Sequence, residues 1–146
     1  MLLGSWEHLE EIKRRVNSDE KLMEIAKNVG RISVTCILQA ETDKNAPEIC
    51  VGVLINRGMI EDIWLGVRET EFVVSGKYGI WVRILRDELG ISLAITTKKL
   101  RFKGNLKKLF RISGITHIAM KVLDIIRSLP VELHGGYAEE STTLEG

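Results

Sequence analysis

Cysteine is scarce in this chain, and what little there is excludes two kinds of scaffold. Only Cys36 and Cys50 occur, fourteen positions apart, with no second Cys or His at ligand spacing. That removes a disulfide framework and a zinc site. Both cysteines fall in strand-like runs. In a hairpin centred between Lys44 and Asn45, Cys36 comes opposite Val53 and Cys50 opposite Gln39, so the thiols face opposite sides and stay unpaired. Histidine is equally thin. His8, His117 and His134 stand apart from any recognisable partner motif, and the glycines of Gly76-Lys77-Tyr78-Gly79 match neither common phosphate-loop pattern. The expectation is a protein that is not an enzyme, with no catalytic residue, metal or cofactor.

Long hydrophobic runs are also missing. Met1-Leu2-Leu3-Gly4-Ser5 reaches Glu7 after too few apolar residues for a signal peptide, and no stretch approaches the roughly eighteen residues of a membrane span. A cytoplasmic protein is expected. Net charge is only +1, so nothing global points to nucleic acid or membrane. The charge is uneven, however. Residues 1–76 hold nine Lys/Arg against thirteen Asp/Glu, residues 77–127 twelve against three, and the remainder none against four.

What is present suits one domain. With 146 residues and 45% apolar content, the chain can bury a core without metal or disulfide help. Trp6, Leu9, Ile12 and Val16 carry helical spacing after a Ser5 cap. Asn17 to Glu20 restarts the pattern, Ser18 can cap, and Leu22 to Val29 continue it to Gly30. From Arg31 to Glu41, Ile32, Val34, Cys36, Leu38 and Ala40 alternate with mostly polar residues, which predicts a half-buried strand. Ile49, Val51, Val53 and Ile55 repeat the alternation up to a tight turn at Asn56-Arg57-Gly58. Ile60 to Leu65 forms a third antiparallel strand.

The stretch Phe72 to Phe110 organises the rest. It reads as a strand from Glu71 to Ser75, a Gly76 turn, a helix carrying Tyr78, Trp81, Ile84, Leu85 and Leu89, a short helix from Ile91 to Thr97, and a strand from Lys99 to Lys103. The crossover is long enough for a parallel pair. Lys99, Arg101 and Lys103 alternate with Leu100 and Phe102, the pattern of a protected sheet edge. Asn105 can cap a long final helix toward Pro130, weakened at Gly114 by about 1 kcal/mol relative to Ala. The fold class predicted is α+β: a mixed, mainly antiparallel five-stranded sheet with helices on one face, spanning residues 1–130. Residues 131–146, with Gly135-Gly136 and four Glu from Glu132 onward, read as a flexible acidic tail.

The run Glu71-Phe72-Val73-Val74-Ser75-Gly76, the Trp81/Leu85 helix, the short helix with Ala94 and the run Lys99-Leu100-Arg101-Phe102-Lys103-Gly104-Asn105 resemble the second half of the sterol carrier protein type 2 family. Ile55 to Ile60 also looks like that family's Asp-Gly type hairpin, and the likeness covers most of residues 18–127. Two positions depart: Lys98 stands where the family usually has Gly, and Asn105 replaces the usual Asp. The resemblance implies an apolar tunnel between sheet and helices that takes fatty acyl chains, sterols or similar lipids. Its wall would come from Trp81, Leu85, Leu93, Ala94, Ile95, Leu100 and Phe102, with Phe110, Ile118 and Val122 as a lid.

The basic run Lys98, Lys99, Arg101, Lys103, Lys107, Lys108 and Arg111 has no acid among it. It can dock on an anionic membrane or stand as a solvated edge. Phe102 points away from the cations in a strand, which counts against nucleic acid. The expected partner is therefore a hydrophobic small molecule or lipid. The alternative is a non-catalytic interaction module that buries the final helix's wide apolar arc against a partner or a second copy, as in a homodimer.

Overall fold

The computed structural model describes residues 1–140 of the chain. Five strands, β1 (Ile32–Gln39), β2 (Ile49–Asn56), β3 (Met59–Leu65), β4 (Phe72–Lys77) and β5 (Leu100–Lys103), form one sheet in the order β3-β2-β1-β4-β5. The helices are α1 (Trp6–Asn17), α2 (Glu20–Ala26), α3 (Tyr78–Leu85), α4 (Ile91–Thr96), α5 (Leu106–Phe110), α6 (Ile115–Arg127) and α7 (Gly135–Glu140), with a 3-10 turn at Thr42–Lys44. This is the mixed sheet with helices that the alternation and helical spacing predict, and β5 lies at an edge as its charges indicate.

Local chemistry accounts for most of the ends. The Ser5 hydroxyl accepts from the His8 amide and starts α1. Asp19, rather than Ser18, caps α2 by accepting from the Leu22 amide, while Ser18 closes α1. Between β2 and β3, Arg57 (φ 54°) and Gly58 (φ 79°) are both left-handed, as a two-residue turn matching strand twist requires. Gly76 makes no turn. It lies inside β4 opposite Leu100, and a Cβ there would come within 2.6 Å of the Leu100 side chain. Gly114 (φ 73°) separates α5 from α6, so the long final helix is two.

One pairing differs from expectation. β4 and β5 are antiparallel, and the parallel pair is β1 with β4. The connection between β4 and β5 is not a single crossover helix. It folds into α3 and α4, and Asp87 (φ 60°) takes a left-handed conformation in the bend between them, so the chain returns alongside the strand it left. The parallel connection falls instead on Gly66 to Glu71. This segment crosses the open face of the sheet: the Arg68 guanidinium stacks over Trp64 at 4.4 Å, Thr70 and Thr35 hydroxyls pair at 2.7 Å, and the Glu71 amide donates to Ser33.

The β1–β2 register is also shifted by two residues. Cys36 lies opposite Val51 and Cys50 opposite Ile37, which keeps the thiols on opposite faces, and both are free.

The expected tail is partly built into the core. Val131 and Leu133 are buried at 3% exposure and pack with Leu3, Leu38, Tyr78 and Val82. Glu132 pairs with Leu2, the His134 amide donates to the Tyr78 hydroxyl at 2.9 Å, and the Tyr137 hydroxyl donates to Glu41 at 2.7 Å. The stretch is acidic in composition, but its apolar alternation from Leu129 to Leu133 is what seats it. Residues 141–146 of the expected tail lie outside the described residues.

Lys98 holds φ 60°, the conformation glycine adopts freely and other residues adopt at a cost of about 1–2 kcal/mol. Glycine would add back some unfolded-chain entropy, about 0.4–1 kcal/mol. Lys98→Gly is therefore expected to leave stability unchanged or raise it by up to about 1 kcal/mol in thermal or urea unfolding.

Candidate functional site

The covered face of the sheet has an inverted burial pattern. Its side chains are Ile32, Val34, Cys36 and Leu38 from β1, with their register partners in β2, β3, β4 and β5. In a filled core the centre of such a face is driest. Here most of the margin is buried, at Ile32, Leu38, Ile49, Ile60, Ile63, Phe72 and Leu100, while Leu65 at the β3 edge is exposed and Ile55 and Phe102 are half-buried. The centre is only half-buried, at Val34, Cys36, Val51, Val53 and Val74. Cys36 makes the contrast sharpest. It is enclosed enough that burial, with a smaller push from Cys50, drives its thiol pKa up to about 12, yet it retains accessible surface. Cys36 is thus deep in the sheet's covered face and still partly accessible.

The helical cover matches. On α3, Trp81 and Leu85 are half-buried, and the Trp81 indole N–H donates to the Ile37 carbonyl at 3.0 Å, which lays the ring across β1. On α6, Ile118, Val122 and Ile126 are half-buried. α1 lies directly on β3, whereas α6 leans on α1, α2 and α3. Its C-terminal end is fixed: the Arg127 guanidinium donates twice to the Ile84 carbonyl, at 3.0 and 2.7 Å, and faces Asp87 at 3.4 Å. Its other end is more exposed, resting on α1 and α2 through Ile118 and Val122 and on Asp19 through Lys121. No residue of α5 is buried, and Leu123 is the one buried residue of α6.

Of the wall predicted from sequence, Trp81, Leu85, Phe102, Ile118 and Val122 face this region, and Ile95 packs on the cluster of Ile84, Leu89 and Leu123. Ala94 and Leu100 are fully packed in that same cluster, at 0% and 1% exposure. Leu93 and Phe110 are corrections, because at 56% and 69% exposure they face solvent. Short helices leave little periodicity to fix a rotation, and α4 and α5 have six and five residues. The sheet-side residues Val34, Cys36, Val51, Val53 and Val74 were missed. Their inward face was legible in the alternation, but nothing in residue type showed that they are only half-buried.

The seven basic residues do not form one patch. Lys98, Lys99 and Arg101 border a cleft of about 510 Å³ with Lys77, Ser75 and Gln39. Lys103, Lys107, Lys108 and Arg111 lie at the other end of β5 and on α5, all exposed, with Lys108 paired to Glu71. Among the described residues no group of three His, Cys, Asp or Glu could hold a metal ion, and no helix is long and apolar enough to cross a membrane.

The geometry matches known structures. One solved structure, a crystal structure of sterol carrier protein 2, aligns with 87% of this chain and 98% of its own at TM-score 0.74 and 16% identity. The chain has the sterol carrier protein 2 fold. A second structure with this fold, a conserved hypothetical protein of Thermus thermophilus suggested to be a sterol carrier protein, aligns at TM-score 0.73 and 18% identity over 87% of this chain and 89% of its own. The apo form of sterol carrier protein 2 from Yarrowia lipolytica aligns less closely, at TM-score 0.53 and 15% identity over 76% and 88%. No family model and no curated protein matches the sequence. The sterol carrier protein 2 fold is thus retained at an identity where few side chains are shared, so the site must be argued from this chain's own residues.

Proposed function

We propose that this chain is a non-catalytic, cytoplasmic binder of a hydrophobic chain-like or ring lipid (a fatty acyl chain, sterol or isoprenoid), held between the sheet and α3 and α6. The observation that carries the reading is the accessible centre of an otherwise buried face, at Val34, Cys36, Val51, Val53 and Val74. Such a space takes an apolar ligand by burial alone, at about 25 cal/mol per Å², so it needs no polar motif. The names of the structural neighbours point to the same ligand class.

Entry is through the exposed end of the cover, where Gly114 joins α5 to α6. There Leu106 and Phe110 are exposed at 42% and 69% beside Lys103, Lys107, Lys108 and Arg111, a pairing of apolar and cationic side chains suited to an anionic membrane surface. The same exposed side chains support a second reading, an interaction or homodimer contact.

Organic extraction of the freshly purified protein followed by mass spectrometry is expected to yield a lipid at close to one per chain. A lipid-free protein that also fails to take up added fatty acid or sterol contradicts the proposal. Flotation with vesicles separates the two uses of α5. Binding to anionic but not zwitterionic vesicles, weakened by salt, supports membrane docking. No flotation, with concentration-dependent mass in light scattering, supports the dimer.

A further inference from the structure

The cleft at the far end of β5 has a composition that the apolar site does not use. Four cations, Lys77, Lys98, Lys99 and Arg101, border it with Ser75 and Gln39, and no acid lines it. Register explains how they meet. Gln39 pairs with Lys77 across the parallel β1–β4 ladder, and Ser75 pairs with Arg101 across β4–β5. Gln39, Ser75, Lys77 and Arg101 share the open face of the sheet, Ile80 of α3 closes the cleft at the end of β4, and Lys98 and Lys99 enter from the end of α4. None of the four has an ion-pair partner among the described residues. The adjoining cleft shares Lys77 and Ile80 and holds the acids Glu41 and Glu88; Glu41 Oε2 accepts from the Gly79 amide and the Tyr137 hydroxyl, both at 2.7 Å.

Like charges gathered in a concave place repel one another, and a lysine in the left-handed conformation adds backbone strain. Both costs fall at one spot, and an anion there relieves the repulsion. The hydroxyl of Ser75 and the amide of Gln39 supply neutral donors between the cations, an arrangement suited to a compact, multiply charged oxyanion.

We propose that this cleft binds a phosphate-class oxyanion, independently of whether the apolar space holds a lipid. The phosphate can be free or can be the headgroup of a lipid. Ile80 lines the cleft and also packs in the cluster with Trp81, Leu85 and Leu100, so a phospholipid headgroup here would sit one residue from the apolar wall.

The test is an amide NMR titration of the full 15N-labelled chain at low salt with three probes: inorganic phosphate, a monoacylglycerol phosphate below its micelle concentration, and the matching monoacylglycerol. Phosphate is expected to shift the amides of residues 75–77 and 98–101 saturably and to leave those of Lys107, Lys108 and Arg111 unmoved. Lys77→Gln and Arg101→Gln should each weaken binding about fivefold, as expected for loss of one charge-assisted contact. Lys98→Gly should weaken it by a similar factor while holding or raising the melting temperature, which a merely structural lysine would not do. Tighter binding of the monoacylglycerol phosphate than of phosphate, with added shifts at Ile80 and Trp81, assigns the site to a lipid headgroup. Equal affinity assigns it to free phosphate. Shifts spread over all exposed lysines, no saturation, or full affinity in Lys77→Gln overturns the proposal. Because the monoacylglycerol reports on the apolar space alone, failure of this site and failure of the lipid reading give different spectra.

Discussion

Cys36→Phe is expected to abolish uptake of a long-chain fatty acid and leave the fold standing. The side chain sits at the middle of the covered face, on the central strand β1 opposite Val51 and Val74, and retains accessible surface there. A phenyl group at that point would occupy the path of the ligand. Displacing even four methylenes of a bound chain removes about 3 kcal/mol of burial, on the order of a hundredfold in affinity. The same substitution reads the packing directly. In a filled core, inserting a phenyl ring costs about 1–3 kcal/mol. In an open one it gains contacts, so the melting temperature should hold or rise. Fluorescent fatty-acid displacement alongside calorimetry measures both. A protein that binds as before, or that loses stability by the overpacking amount, places no open space at Cys36.

Acid sensitivity is the second large effect, and it belongs to His8. This imidazole is 4% exposed on α1. Its Nδ1 accepts from the Gly4 amide at 3.1 Å, which assigns the ring proton to Nε2, and that atom is buried without a partner. Burial, with a smaller contribution from the chain's amino terminus, holds the pKa down at about 4 from 6.5. Protonation would place a second hydrogen against the Gly4 N–H. The unfolded chain takes up the proton near pH 6.5, the folded chain only near 4, so the unfolded state carries more protons between those values. Stability is therefore complete above about pH 6.5 and falls as pH drops toward 4, by about 3 kcal/mol. Urea unfolding at about pH 7 and about pH 4 should show that loss. His8→Asn, which keeps an acceptor for Gly4 without a titrating ring, should lose about 3 kcal/mol less over the same range. Equal losses in the two proteins would contradict the assignment.

Much of the fold was legible because it rests on patterns of period two and 3.6. The alternation of Ile32 to Leu38 and Ile49 to Ile55, the Arg57-Gly58 turn, the charged edge strand and the break at Gly114 are local signals, and the structure contains each. Direction between β4 and β5 was not local. It depends on the chain turning back between α3 and α4 at Asp87, which strand spacing does not encode. The tail was misread for a related reason: Val131 and Leu133 are two apolar residues among glycines and acids, and only the groove beside Tyr78 makes them core. Trp81, Leu85, Ile118 and Val122 turn half-buried toward the core because they lie on helices with enough turns to fix an orientation. Leu93 and Phe110 do not. The left-handed Lys98 explains why a glycine would be at home there.

The three tryptophans allow the central claim to be tested in the intact chain. Trp81 lies over the accessible face, Trp64 is buried on the opposite face against Gly52, where a Cβ would come within 2.1 Å of its ring, and Trp6 is exposed. With 5-fluorotryptophan incorporated, a fatty-acid titration followed by 19F NMR should move the Trp81 resonance saturably at one ligand per chain and leave Trp64 and Trp6 in place. A titration that leaves Trp81 unmoved while the fatty acid remains in solution, or that shifts only Trp6, would contradict a lipid space between sheet and helices.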